Sequence, residues 1–197
     1  MRSGTVCYDA GAMRDRRNAT GVWLLTHGLL LAGLWLFSLW AWPNLPERIP
    51  MHFDFHGNPD RWAAGSSYEW FLLPTVASVL VALLLAPAIA MPRIPVGTIN
   101  LPNKKAFLQL PRERQLAVLG KVSVMLYSIA LLPNLLMLYL QVTIYRVAQG
   151  ASSGLSAVPV LAVTVAALLG TALWVVHLSR AIDREVELFT TGRSRPS

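Results

Sequence analysis

Four runs of 21 or 22 residues, at 22–42, 70–91, 122–143 and 158–178, contain no Asp, Glu, Lys or Arg. A hydrocarbon layer roughly 30 Å thick takes about 20 helical residues, and inside it only helices or closed barrels pair every backbone amide and carbonyl. The pattern predicts an all-α integral membrane protein with four transmembrane helices. A buried helix of a soluble protein accounts for one such run, not for four in succession. The first run exceeds the roughly 7–15-residue apolar core of a signal peptide, and no small-x-small cleavage site precedes the following loop, so it is expected to stay as a helix.

The basic residues set an expected orientation. Arg2, Arg14, Arg16 and Arg17 precede the first run, Arg93, Lys104, Lys105, Arg112, Arg114 and Lys121 lie between the second and third, and Arg180, Arg184, Arg193 and Arg195 follow the fourth. Only Arg48, Arg61 and Arg146 fall on the other side. Basic loops stay cytoplasmic, which predicts cytoplasmic termini, an extracytoplasmic 45–62 loop and a bacterial inner (cytoplasmic) membrane location. Arginines flanking helices account for the net charge of +7 without nucleic acid. Trp40, Trp42, Trp70, Phe71, Tyr139 and Tyr145 at one end, with Trp23 and Trp174 at the other, suit rings at headgroup level. The single cysteine, Cys7, leaves no intramolecular disulfide to brace the outer loop.

These assignments divide the chain into an N-terminal tail (1–21), a two-helix unit (22–91) with its outer loop (43–69), a cytoplasmic loop (92–121), a second helical pair (122–178) and a C-terminal tail (179–197). In the 92–121 loop, Pro92, Pro95, Gly97 and Pro102 exclude a helix at the start. Pro111 suits a first helical turn, so the third helix is expected to begin near Arg112. Between them Lys104, Lys105, Phe107, Leu108 and Leu110 read as a connector lying on anionic lipid.

Polar residues within the spans invite two readings. Ser123, Tyr127, Asn134 and Gln141 recur at four or seven residues and form one stripe, expected to face other helices. It serves either interhelical hydrogen bonding or a transport path, with His27 and His177 as proton-linked partners. No intramembrane Asp or Glu accompanies them. Small pairs, Gly28 with Ala32, Ser78 with Ala82 and Ala166 with Gly170, predict close helix contacts.

The segment 45–62, LPERIPMHFDFHGNPDRW, is chemically the richest. His52, Asp54 and His56 alternate, and Asp60 follows a Gly57-Asn58-Pro59 turn, which makes these four a candidate zinc site. Residues four apart on a strand are about 13 Å apart, so both histidines reach one ion at about 2.1 Å only if the segment curls. The bland alternative is a packed lid: Phe53, Phe55 and Trp62 seal against helix ends, Asp60 bonds turn amides, and His52 bonds a carbonyl or carboxylate.

Pro46, Ile49, Pro50, His52, Phe53, Gly57, Pro59, Asp60 and Trp62 resemble the motif of a bacterial membrane domain of unknown function that forms the N-terminal part of SdpI-like immunity proteins. The resemblance spans about the first 90 residues. It implies a multi-spanning membrane protein and, in the SdpI-like proteins, immunity to a secreted toxin and sequestration of a repressor at the membrane. The pattern of their second membrane region is not recognised in 121–178. The leading expectation is a non-enzymatic protein whose outer loop recognises a peptide or envelope ligand and whose inner loop meets a cytoplasmic regulator. A metal-dependent enzyme or sensor at the outer face and a small transporter are the alternatives. No Walker, dinucleotide-loop, GxSxG or HExxH motif is present, and no cofactor besides zinc is implied.

Overall fold

A computed structural model describes residues 10–66, 68–100 and 104–193, with the side chains of 10–17, 190, 192 and 193 outside the description. Cys7, Arg2, Pro102 and Arg195 fall outside the described residues. So do the side chains of Arg14, Arg16, Arg17 and Arg193. Helix α1 (Ala10–Ala41) leads through a 3-10 turn, Trp42–Asn44, into strands β1 (Arg48–Phe53) and β2 (Pro59–Ala64). A second 3-10 turn, Tyr68–Phe71, opens α2 (Leu72–Ala90). A short α3 (Lys104–Leu108) then precedes two long helices, α4 (Arg112–Ala148) and α5 (Ala157–Arg193).

The segments Asn18–Asn44, Tyr68–Ala90, Arg112–Ala148 and Ala157–Phe189 are each long and apolar enough to cross a membrane. The chain is therefore a multi-pass membrane protein. Leu25, Leu29, Leu36, Leu83, Leu168 and Leu173 stay exposed on helix faces, as lipid contact requires. All-helical character stops at the loop between α1 and α2, which is an antiparallel hairpin. Its short alternating segments and a Gly57-Asn58-Pro59 reversal suit strands and exclude a helix.

Helix α4 is the central post, packing against α1, α2, α5 and β1. Pro111 stands just before its first turn, and the helix runs through Pro133 without a break. Gly150, at φ +71°, takes the left-handed conformation that ends a helix cheaply. The polar stripe of Ser123, Tyr127, Asn134 and Gln141 is buried along this post. The Ser123 hydroxyl donates to the Ala88 carbonyl at 2.9 Å, and the Gln141 amide donates to the Trp70 carbonyl at 3.1 Å. His27 lies between the Tyr127 carbonyl, 3.1 Å from Nε2, and the Asn134 amide nitrogen, 3.0 Å from Nδ1. A carbonyl only accepts, so Nε2 carries the hydrogen and Nδ1 accepts from Asn134.

The Gln141 Oε1 and Asn134 Oδ1 atoms are buried without a hydrogen-bond partner among the described residues. Gln141→Leu thus removes one orphaned acceptor together with one bond to Trp70. A loss of about 1 kcal/mol or less is expected in reversible unfolding from detergent, near the average for interhelical bonds in membranes. A loss several times larger would show that the oxygen has a partner of consequence.

Three sequence expectations are corrected here. Phe107 and Leu110 do not lie on a lipid surface but join Met91, Val118, Leu119 and Ile182 in a core at the α2–α4–α5 end, because three helix ends meet there and an aromatic ring fills the gap. Arg114 and Glu185, 3.2 Å apart, tie α4 to α5 beside it. The small pairs do not bring helices together as pairs among the described residues: Gly28, Ala32, Ala82 and Ala166 are exposed, while half-buried Ser78 accepts from the Trp35 indole N–H of α1 at 3.1 Å. Ala41, Ala77, Ala88 and Ala130 occupy the tight positions instead. His177, exposed and edge-on to Trp174 at 5.6 Å, shares no partner with His27 among the described residues.

Candidate functional site

The hairpin is mounted on the bundle by its apolar edge. Ile49 and Pro50 on β1 are buried, and Ile49 packs with Ala41, Trp70 and Ile144. The Trp70 indole N–H donates to the Ser38 carbonyl at 2.8 Å. At the hairpin's base, the Gly65 amide donates to the Glu47 carbonyl at 2.8 Å. A Cβ at Gly65 would lie 1.8 Å from the Pro46 carbonyl oxygen, so no larger residue closes this ring without moving the backbone.

The strands pair Arg48 with Ala64, Ile49 with Ala63, Pro50 with Trp62, His52 with Arg61 and Phe53 with Pro59. Met51 and Asp60 have no opposite residue in this register, so each strand carries one bulge. Bulges re-aim side chains, and this one sets the Asp60 carboxylate against His52, with Nδ1 to Oδ1 2.6 Å. Both side chains remain substantially exposed, at 63% and 48%. Solvent then screens the pair, whose contribution to stability is about 0–1 kcal/mol.

The turn is organised by Asp54 rather than Asp60. Its Oδ1 accepts from the His56 and Asn58 backbone amides, both at 2.8 Å, and Oδ2 from the Asn58 side-chain amide at 3.3 Å. The Asn58 backbone N–H is the main influence holding this carboxyl below its ordinary value of 3.8; partial desolvation opposes it, and the Asn58 amide, the His56 N–H and the His56 ring reinforce it. A carboxyl whose folded pKa is depressed adds order that is complete above 3.8 and is lost as pH falls through the lower folded value. Amide resonances of His56 and Asn58 in micelles should accordingly shift together in acid, below the ordinary carboxyl range. Asp54→Asn should erase that step.

The tip of the turn meets the loop between α4 and α5. The Leu155 amide donates to the Gly57 carbonyl at 2.8 Å. Gly57 has φ +84°, and a Cβ there would lie 2.0 Å from the Leu155 oxygen; one at Gly154 would lie 2.3 Å from the Gly57 oxygen. Two backbones can approach this closely only because both residues lack side chains.

Of the four candidate zinc ligands, His52 and Asp60 meet, Asp54 is bound into the turn, and His56 is exposed. Among the described residues no three His, Cys, Asp or Glu side chains come together as a metal site needs. The sealing role expected of Phe55 and Trp62 is not met, since both are exposed; only Phe53 packs towards the core. Gly65, Gly154 and the Ser38–Trp70–Gln141 linkage were not legible in advance. A glycine in a Ser-Ser-Gly loop gives no local sign of a partner nearly a hundred residues away.

Residues 29–77, from the middle of α1 through the hairpin into α2, match a family model. It describes a domain of unknown function, DUF1648. An uncharacterized protein of Archaeoglobus fulgidus is 43% identical over 67 residues, which are 34% of this chain and 36% of that protein. The chain thus covers about a third of this relative's length. No solved structure matches the chain. The matched segment contains the hairpin and Trp70 but not Gly154, Ile144 or Gln141, so the hairpin of this domain is seated on elements from outside the match.

Proposed function

We propose that the protein is a non-enzymatic member of a bacterial cytoplasmic membrane, with both termini inside and the hairpin outside, and that the hairpin recognises a peptide or envelope component. An immunity role of the SdpI-like kind fits this reading. The observation that carries it is Phe55, whose side chain is wholly exposed at the tip of a turn locked by Asp54 and by the Gly57–Gly154 contact. Rigid, exposed aromatics are what recognition surfaces use. Trp62, Tyr68 and the His52–Asp60 pair stand exposed on the same hairpin and its exit. The asymmetry of basic residues supports the orientation.

The test is protection of a bacterial host against a panel of secreted membrane-active peptides, with and without expression of the chain. Phe55→Ala and Trp62→Ala together are expected to weaken protection by roughly 30-fold, equivalent to losing one strong interface residue of about 2 kcal/mol, at unchanged membrane levels. Undiminished protection by the double variant, or no protection by the parent, refutes the reading.

A further inference from the structure

At the end of the bundle away from the hairpin, a cavity of about 590 Å³ opens between α1, α2 and α4, with Trp174 of α5 at its side. That size lies in the range of ligand pockets, roughly 300–1,000 Å³. Small residues leave the space: Ala19, Ala88, Ala117 and Gly120 line it where larger side chains would fill it. Trp23 and Tyr127, stacked at 6.1 Å, contribute an aromatic wall. Ser123, bonded to the Ala88 carbonyl, fixes α4 against α2 at this level.

The charge on the cavity is one-sided. Arg93, three residues beyond α2, and Lys121, two residues from Ser123 along α4, both line it. Two helical residues rise only ~3 Å, so both cations lie at the level where α2 emerges. Among the described residues neither makes an ion pair and no acidic side chain lines the cavity. An apolar trough with two free cations at its mouth, opening at the end of membrane-crossing helices, complements a molecule that has an anionic head and a hydrocarbon tail.

We propose that this cavity is a binding site for one anionic phospholipid. Arg93 and Lys121 hold the headgroup phosphate, and one acyl chain lies in the trough against Trp23 and Tyr127. This inference goes beyond recognition by the hairpin and does not depend on it. Basic pockets between helices are a physically sound headgroup site, and the trough adds the requirement for a chain.

Native mass spectrometry of the full chain, released from nanodiscs of equal phosphatidylglycerol and phosphatidylcholine, tests it. One phosphatidylglycerol should be retained in strong preference to phosphatidylcholine. The paired variant Arg93→Gln, Lys121→Gln should lower that preference by roughly 25-fold, about fivefold per cation near an anionic surface, with the melting temperature held. Gly120→Leu, which fills the trough and leaves both cations, should also abolish retention, and inorganic phosphate at millimolar concentration should not displace the lipid. Equal retention of the two lipids by the parent overturns the proposal. So does unchanged preference in the charge variant, retention in folded Gly120→Leu, or displacement by free phosphate.

Discussion

Trp70→Ala is expected to destabilise the protein by about 3–5 kcal/mol, the range for emptying a large buried aromatic site. Trp70 is only 2% exposed and sits where α1, α2, α4 and the hairpin converge, against Ala41, Ile49 and Ile144. Its indole N–H bonds the Ser38 carbonyl, and its own carbonyl accepts from Gln141. Alanine removes the ring and the indole donor together. The neighbours that would have to collapse into the space belong to three helices and a strand, so relaxation is restricted. Reversible unfolding in mixed micelles measures the loss. Trp70→Phe keeps much of the volume and loses the donor, so it should recover most of the stability, falling short by about 1 kcal/mol. Parent-like stability of Trp70→Ala would show that the hairpin interface is not a packed core.

Gly57→Ala should release the turn from the α4–α5 loop. Two costs coincide. A left-handed backbone costs a residue with a Cβ roughly 1–2 kcal/mol, and the new methyl would lie 2.0 Å from the Leu155 oxygen, which forces the loops apart and breaks the Leu155 N–H to Gly57 bond, worth about 0.5–1.5 kcal/mol. The sum is about 1.5–3.5 kcal/mol, local to the hairpin tip. Hydrogen exchange at the Leu155 amide should therefore accelerate far more than exchange in the middle of α4. Gly154→Ala should reproduce the faster exchange at Leu155 without the φ penalty, since only the close approach is affected. Slow exchange at Leu155 in both variants would mean that the contact is not what holds the turn.

The hairpin also shows why alternation along the chain does not by itself gather four side chains at one point. His52, Asp54, His56 and Asp60 alternate like ligands along a strand, yet Asp54 is consumed by the amides of His56 and Asn58. A bulge brings Asp60 alone to His52. Alternation describes an ideal strand, whereas one unpaired residue per strand changes which side chains share a face. Turn chemistry was legible as far as Gly57, Asn58 and Pro59 marking a reversal. Which carboxylate would serve it was not, because Asp54 and Asp60 flank the reversal and both have suitable chemistry.

Hydropathy and proline placement by themselves determined the four long helices, the start of α4 after Pro111 and the inward-facing stripe from Ser123 to Gln141. The bilayer imposes these through length and backbone pairing, which are properties of consecutive residues. Tertiary structure alone decided that Phe107 is core, that Gly57 docks on Gly154, that Phe55 stands free, and that Arg93 and Lys121 flank one cavity. Each of these depends on distances between segments far apart in the chain. Such distances follow from how bulky residues on several helices pack at once, and no local pattern encodes them.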